Sequence, residues 1–153
     1  MFNFRLWLAL AIAGGIAIFL SVTGFTYVRD VDALLDRAQV AADREDMLEY
    51  LTKLRNNMQH HGMTMGHTAV IFRTPANDMA LHYKTVGRII ERLEGIKRLP
   101  KYDTAYQVAL DDIRGTIREL PNPAGGWTWA RWWILFFLCG AACIWAFFEI
   151  SLS

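Results

Sequence analysis

Within ten residues the chain places Met58, His60, His61, Met63, Met65 and His67, which are half of its six methionines and three of its four histidines. Thioether sulfur and imidazole nitrogen together suit Cu(I), a soft ion that hard carboxylate sites do not select. Gly62 and Gly66 lie among them, and glycine lets a backbone turn sharply enough to wrap round an ion. A Cu(I) site on these six residues is one reading. The spacing matches no fixed ligand order, and the more frequent arrangement of such residues is a helix end with methionines filling a core and histidines at its surface. A protein-binding loop is the third reading.

Other chemistry has less to work with. His82 falls at the border of an apolar helical stripe, where with a methionine of another helix it would make an axial pair for a haem. A histidine in that position is more often a satisfied core residue, and no Cys-x-x-Cys-His attachment motif occurs. No exposed nucleophile has a partnered base, and there is neither a glycine-rich phosphate loop nor a Glu-x-x-His pair. Adjacent acids such as Asp111 and Asp112, or Glu45 and Asp46, point to different sides of a helix and read as solvated faces. The expectation is a protein without enzymatic activity and with no resident cofactor, Cu(I) being the one candidate. A net charge of +1 gives no support for nucleic acid as a partner, which would need a basic excess gathered into a patch, and none is expected.

The elements that position these residues follow from where the charges fall. Charged residues are 20% of the 153, yet there is none at 6–28 and none at 132–148. A 23-residue helix at about 1.5 Å per residue crosses a hydrocarbon core of roughly 30 Å. Residues 6–28 are therefore the first transmembrane helix, read as an uncleaved signal anchor behind Arg5, because a signal peptide has a shorter apolar run and a small-x-small cleavage site. Residues 127–150 are the second. Trp127, Trp129, Trp132 and Trp133 crowd its start and Trp145, Phe147 and Phe148 its end, as befits two headgroup zones. Arg131 lies in its first turns, where a long stem can snorkel, and Glu149 marks the far border. Small residues four apart, Ala11 with Gly15 and Ala9 with Ala13, and the patch Cys139, Gly140 and Cys143, suit close helix packing.

Two crossings put both termini on one side. Arg5 and the terminal amine favour the cytoplasm, while Arg29 and Arg131 pull the other way across a connection too long for the positive-inside rule. The signal-anchor form decides the expectation: an inner (cytoplasmic) membrane protein with cytoplasmic termini and an extracytoplasmic middle domain.

That domain, residues 29–122, reads as all-α. Val31, Leu34, Leu35, Ala38, Leu48, Leu51 and Leu54 recur at helical spacing over about 29–59, as one helix continuous with the first span or as two, the second capped by Asp43. A helix at about 75–98 starts on the Thr74, Pro75, Asn77 and Asp78 cluster and buries Met79, Tyr83, Val86, Ile90 and Leu93. A helix at about 102–120 buries Tyr102, Tyr106, Ala109, Ile113, Ile117 and Leu120. Arg92 and Arg114 should be solvated positions. Pro121, Pro123, Gly125 and Gly126 break the chain before the second span. Only 69–72 hints at strand, and briefly. The fold class is thus all-α, two transmembrane helices flanking a small extramembrane helical bundle.

In plan this span, helical domain and span resembles the sensory half of bacterial chemoreceptors, which hold a four-helix ligand-binding bundle between two membrane helices. The likeness is architectural and rests on no motif. With only a few residues after the second span, it implies a sensor whose message a separate partner transmits. The leading expectation is an accessory or structural subunit of a larger membrane complex, its helical domain a docking surface. Its partners are the lipid bilayer and other membrane-protein subunits or further copies of itself. The alternative is a copper-handling or ligand-sensing module that uses residues 58–67.

Overall fold

The computed structural model describes residues 4–151. The terminal amine lies outside the described residues, as do the side chains of Arg5 and Glu149 from which the span borders were read. Helix α1 (Phe4–Tyr27) runs through a π-helical turn (Val28–Asp32) into α2 (Ala33–Val40). Then come α3 (Arg44–His60), α4 (Met79–Gly95), α5 (Thr104–Arg118) and α6 (Ala124–Ser151), with 3-10 turns at Pro75–Asn77 and Ile96–Arg98. No strand occurs among the described residues; the 69–72 stretch is loop, beside a single bridge between His67 and Asp78.

Two stretches, Trp7–Val40 and Ala124–Phe148, are long and apolar enough to cross a membrane. In their most apolar parts only 17% and 6% of the residues are buried, so Ile18, Phe25, Phe137 and Phe147 face outward. The core helix of a soluble protein buries such side chains instead. The two helices lie antiparallel: Cys139 Sγ is 3.7 Å from the Ala13 carbonyl, the Phe19 and Trp132 rings meet edge to face at 5.1 Å, and Gly24 faces Thr128. Ala9 and Ala13 are buried, whereas Ala11 and Gly15 are exposed, so only one of the two small-residue pairs makes the contact. At the end of this seam Asp32, itself buried, accepts a hydrogen bond from the Ala124 amide at 3.1 Å. A carboxylate there satisfies an orphan N–H and faces the positive end of the helix dipole.

Of the one-helix and two-helix readings over 29–59, the structure has two helices, the second capped by Asp43, and a π-turn joins the first of them to α1. In the π-turn the Ala33 amide donates to Val28, five residues back, and the extra residue rotates the helix face. At 41–43 the backbone goes extended, and Asp43 Oδ1 caps α3 by accepting from the Asp46 amide at 2.9 Å. Helices α2 to α5 then share one apolar core built from Val31, Leu35, Leu51, Leu54, Ile89, Leu93, Leu110 and Ile113, among others. Their directions are fixed by hydrogen bonds. Asn57, near the end of α3, donates to the Asp30 carbonyl, whereas Arg44 at its start donates to Leu93 near the end of α4. Lys101, between α4 and α5, donates to Glu45 at 3.1 Å, which holds the Glu45 carboxyl below its usual range and raises the Lys101 ammonium.

Three expectations change in this region. Tyr102 lies outside α5 and is fully exposed, because the helix starts only at Thr104 behind its Asp103 cap. Gly125 and Gly126 do not break the chain: Pro121 and Pro123 do, and α6 begins at Ala124. Gly126 serves instead for close approach, since a Cβ there would lie 2.8 Å from Thr68 Cβ.

Arg114 is not a solvated position. Its guanidinium reaches back to the Ala41 carbonyl at 3.0 and 3.2 Å and to Ala42, covering the carbonyls that the break between α2 and α3 leaves without helical partners. Replacing Arg114 with Ala should therefore cost about 1.5–3 kcal/mol, the range for hydrogen bonds to a charged group. Arg92, which pairs with Asp112 on the exposed surface, should cost less than about 1 kcal/mol when replaced in the same way. Urea denaturation of the two variants in detergent measures the difference, and equal midpoints would refute the brace.

Candidate functional site

The stretch 58–67 is built on a helix stop. The Met63 amide donates to the Met58 carbonyl at 2.7 Å and the Gly62 amide to Gln59 at 3.1 Å, with Gly62 at φ +69°. These are the paired bonds of a Schellman motif, in which the residue after the left-handed glycine sends an apolar side chain back toward the last turn. Met58 and Met63 occupy those two positions, and both are buried in the common core. Their spacing is thus accounted for by helix termination and packing.

The other four residues go to two further places. His61 turns toward the π-turn: its Nε2 lies 3.1 Å from Asp30 Oδ2, and its ring meets those of Tyr27 and His60 at 5.1 Å each. Asp30 also accepts from Arg29 Nε at 2.8 Å. Asp30 thus faces α3, where its carbonyl also accepts from Asn57. Met65, exposed, and His67, half-buried, lie on the opposite side of the loop and line an open cavity of about 510 Å³ with Arg73, Trp127 and Arg131. The six candidate metal residues are therefore divided among the core (Met58, Met63), the π-turn (His61, with His60 exposed against its ring) and the start of α6 (Met65, His67). No cluster of three or more His, Cys, Asp or Glu with metal-holding geometry occurs among the described residues.

His82 lies beside Met58 in a crevice of about 10 Å³, and its Nε2 is 3.0 Å from the Ala76 carbonyl. That volume is of the order of a single water position and has no room for a porphyrin.

The loop beyond the helix stop is held at both edges. Met79 donates to the Gly66 carbonyl at 2.9 Å and Thr68 to Asn77 at 2.8 Å, while Asn77 accepts from the Thr74 amide and donates to Phe72. Gly66, at φ +96°, lets it pass over the Trp127 ring. Sequence reasoning missed Asp30 and Asp32 as structural groups; the signal was available in Arg29, Asp30 and Asp32, the charges that directly follow the apolar run. It also missed Arg73, which carries no local motif.

The chain matches no known family model, no curated protein and no solved structure at a significant level. The site is thus read from its geometry.

At Gly62 nothing surrounds the position of a Cβ, so the effect of a substitution is set by the backbone alone. Gly62→Ala should destabilise the protein by about 1–2 kcal/mol, the cost of a left-handed non-glycine residue. Met63→Leu, conserving volume, should stay under about 1.5 kcal/mol. Thermal unfolding followed by circular dichroism checks both; a silent Gly62→Ala would remove the helix-stop account.

Proposed function

We propose that the chain is a non-enzymatic membrane protein with two spans, acting as an accessory or structural subunit of a larger membrane complex. Its helices α2 to α5 form an up-down-up-down bundle outside the bilayer, and the bundle serves as a docking surface. Both termini lie in the cytoplasm and the bundle lies on the other side of the inner membrane. The antiparallel seam between α1 and α6, with outward-facing apolar side chains on both, supports the two-span reading.

One observation carries the docking role. Val40, at the end of α2, is 80% exposed and Tyr102, between α4 and α5, is 92% exposed. Both belong to the end of the bundle away from the spans, where Lys101 meets Glu45 at the start of α3. A bilayer does not reach that end in this arrangement, and an exposed tyrosine there suits a protein partner. A soft-metal or sensing role for residues 58–67 is the second reading, supported by Met65 and His67 sharing one cavity wall. Titration with Cu(I) would put it first if about one ion binds per chain and is lost on Met65→Leu with His67→Gln.

Two measurements test the leading reading. Tags on both ends should respond alike to protease added to spheroplasts, and cleavage of one alone would exclude two spans. A photo-cross-linking side chain at position 102 should give a discrete protein adduct in native membranes, while the same group at exposed Arg88 gives none. Adducts of equal yield from both positions, or from neither, would remove the docking role.

A further inference from the structure

The loop 65–73 and the first turns of α6 enclose two adjoining spaces of opposite character. The first is the cavity of about 510 Å³ with His67, Arg73 and Arg131 in its wall. Neither arginine has an acidic partner among the described residues; Arg131 lies 5.9 Å over the Trp127 ring. The second, of about 530 Å³, shares Ala69, Val70 and Trp133 with the first and, Thr68 apart, is otherwise lined by apolar side chains, Phe72 and Phe137 among them. Phe137 is more than a helical turn further along α6 than Arg131, so the apolar space leads from the cationic one into the proposed span. Ile71 and Phe72, about four-fifths exposed, lie along the same wall.

The geometry points to a binding site for one anionic phospholipid of the surrounding bilayer, its phosphate between Arg73 and Arg131 and an acyl chain along Val70, Trp133 and Phe137. Charge complementarity supports the choice. Two unpaired guanidiniums at the headgroup level favour a negative phosphate and donate to its oxygens in a planar fork. An apolar groove open toward the hydrocarbon takes a chain that a soluble anion lacks. A closely packed loop is needed to hold Arg73 opposite Arg131, and Gly126 against Thr68 provides it. The inference rests on the two-span reading above.

The test uses the full chain in nanodiscs of phosphatidylcholine with and without phosphatidylglycerol, followed by native mass spectrometry of retained lipid. Wild type should retain one phosphatidylglycerol in preference to phosphatidylcholine. Arg73→Gln and Arg131→Gln should each weaken that preference by about fivefold, as expected for loss of one cationic contact at a membrane surface. Arg73→Lys and Arg131→Lys, which keep the charge, should lose less, and Arg88→Gln should lose nothing. Equal retention of the two lipids by wild type, or Gln variants that behave like wild type, would overturn the site. Displacement of the bound lipid by glycerol 3-phosphate at matched concentration would overturn the lipid assignment in favour of a soluble phosphate. Carbonate extraction separates the two readings: a protein that leaves the membrane fails the two-span reading, whereas one that stays without lipid preference fails only this inference.

Discussion

Asp32 and the amide of Ala124, 92 residues apart in sequence, hold the two long helices together where the chain leaves one and enters the other. The bond meets several demands at once. It satisfies the first backbone donor of α6, gives a buried carboxylate a partner, and sets the level at which the segment from α2 to α5 begins and ends. The antiparallel seam runs from there through Gly24 and Thr128, Phe19 and Trp132, and Ala13 and Cys139. The π-turn belongs to the same constraint, since its Asp30 meets α3 and its Asp32 meets α6.

The break at 41–43 answers a different demand. An eight-residue α2 followed by a seventeen-residue α3 lets the chain reverse and pack against itself, but it exposes carbonyls at the turn. Arg114 covers them from α5, and Arg44 ties the same end to α4 through Leu93. Charged side chains therefore do the work of loop satisfaction at the far end, while glycine geometry does it near α6. Gly62, Gly66 and Gly126 bring the 61–74 loop against the second long helix. That approach places His67 and Arg73 beside Arg131 and makes a cationic cavity adjoin an apolar groove.

The two apolar runs, the amphipathic stripes and the helix caps could be read in the sequence because each depends on neighbours within a few residues. Asp43, Asp78 and Asp103 cap where their side-chain chemistry says they should. The Met and His cluster left three readings open in the sequence. A Schellman turn sends Met58 and Met63 inward, as the helix-end reading has it, and turns His61 to Asp30 and His67 toward α6, partners that no local pattern specifies. Helix termination reverses the chain, and residues two apart then face different elements.

The sequence by itself determined the all-helical character, the two apolar segments of spanning length and most of the buried stripes, since helical periodicity and uninterrupted hydrophobicity are local properties. Only the tertiary structure decided the roles of Asp32, Arg114 and Gly126. Each acts on a group dozens of residues away, a carbonyl, an amide or a backbone surface, and no local pattern encodes such a partner. The division of the chain after α1 belongs with them, because its π-turn costs a lone helix hydrogen-bond geometry and is compensated only by contacts to α3 and α6.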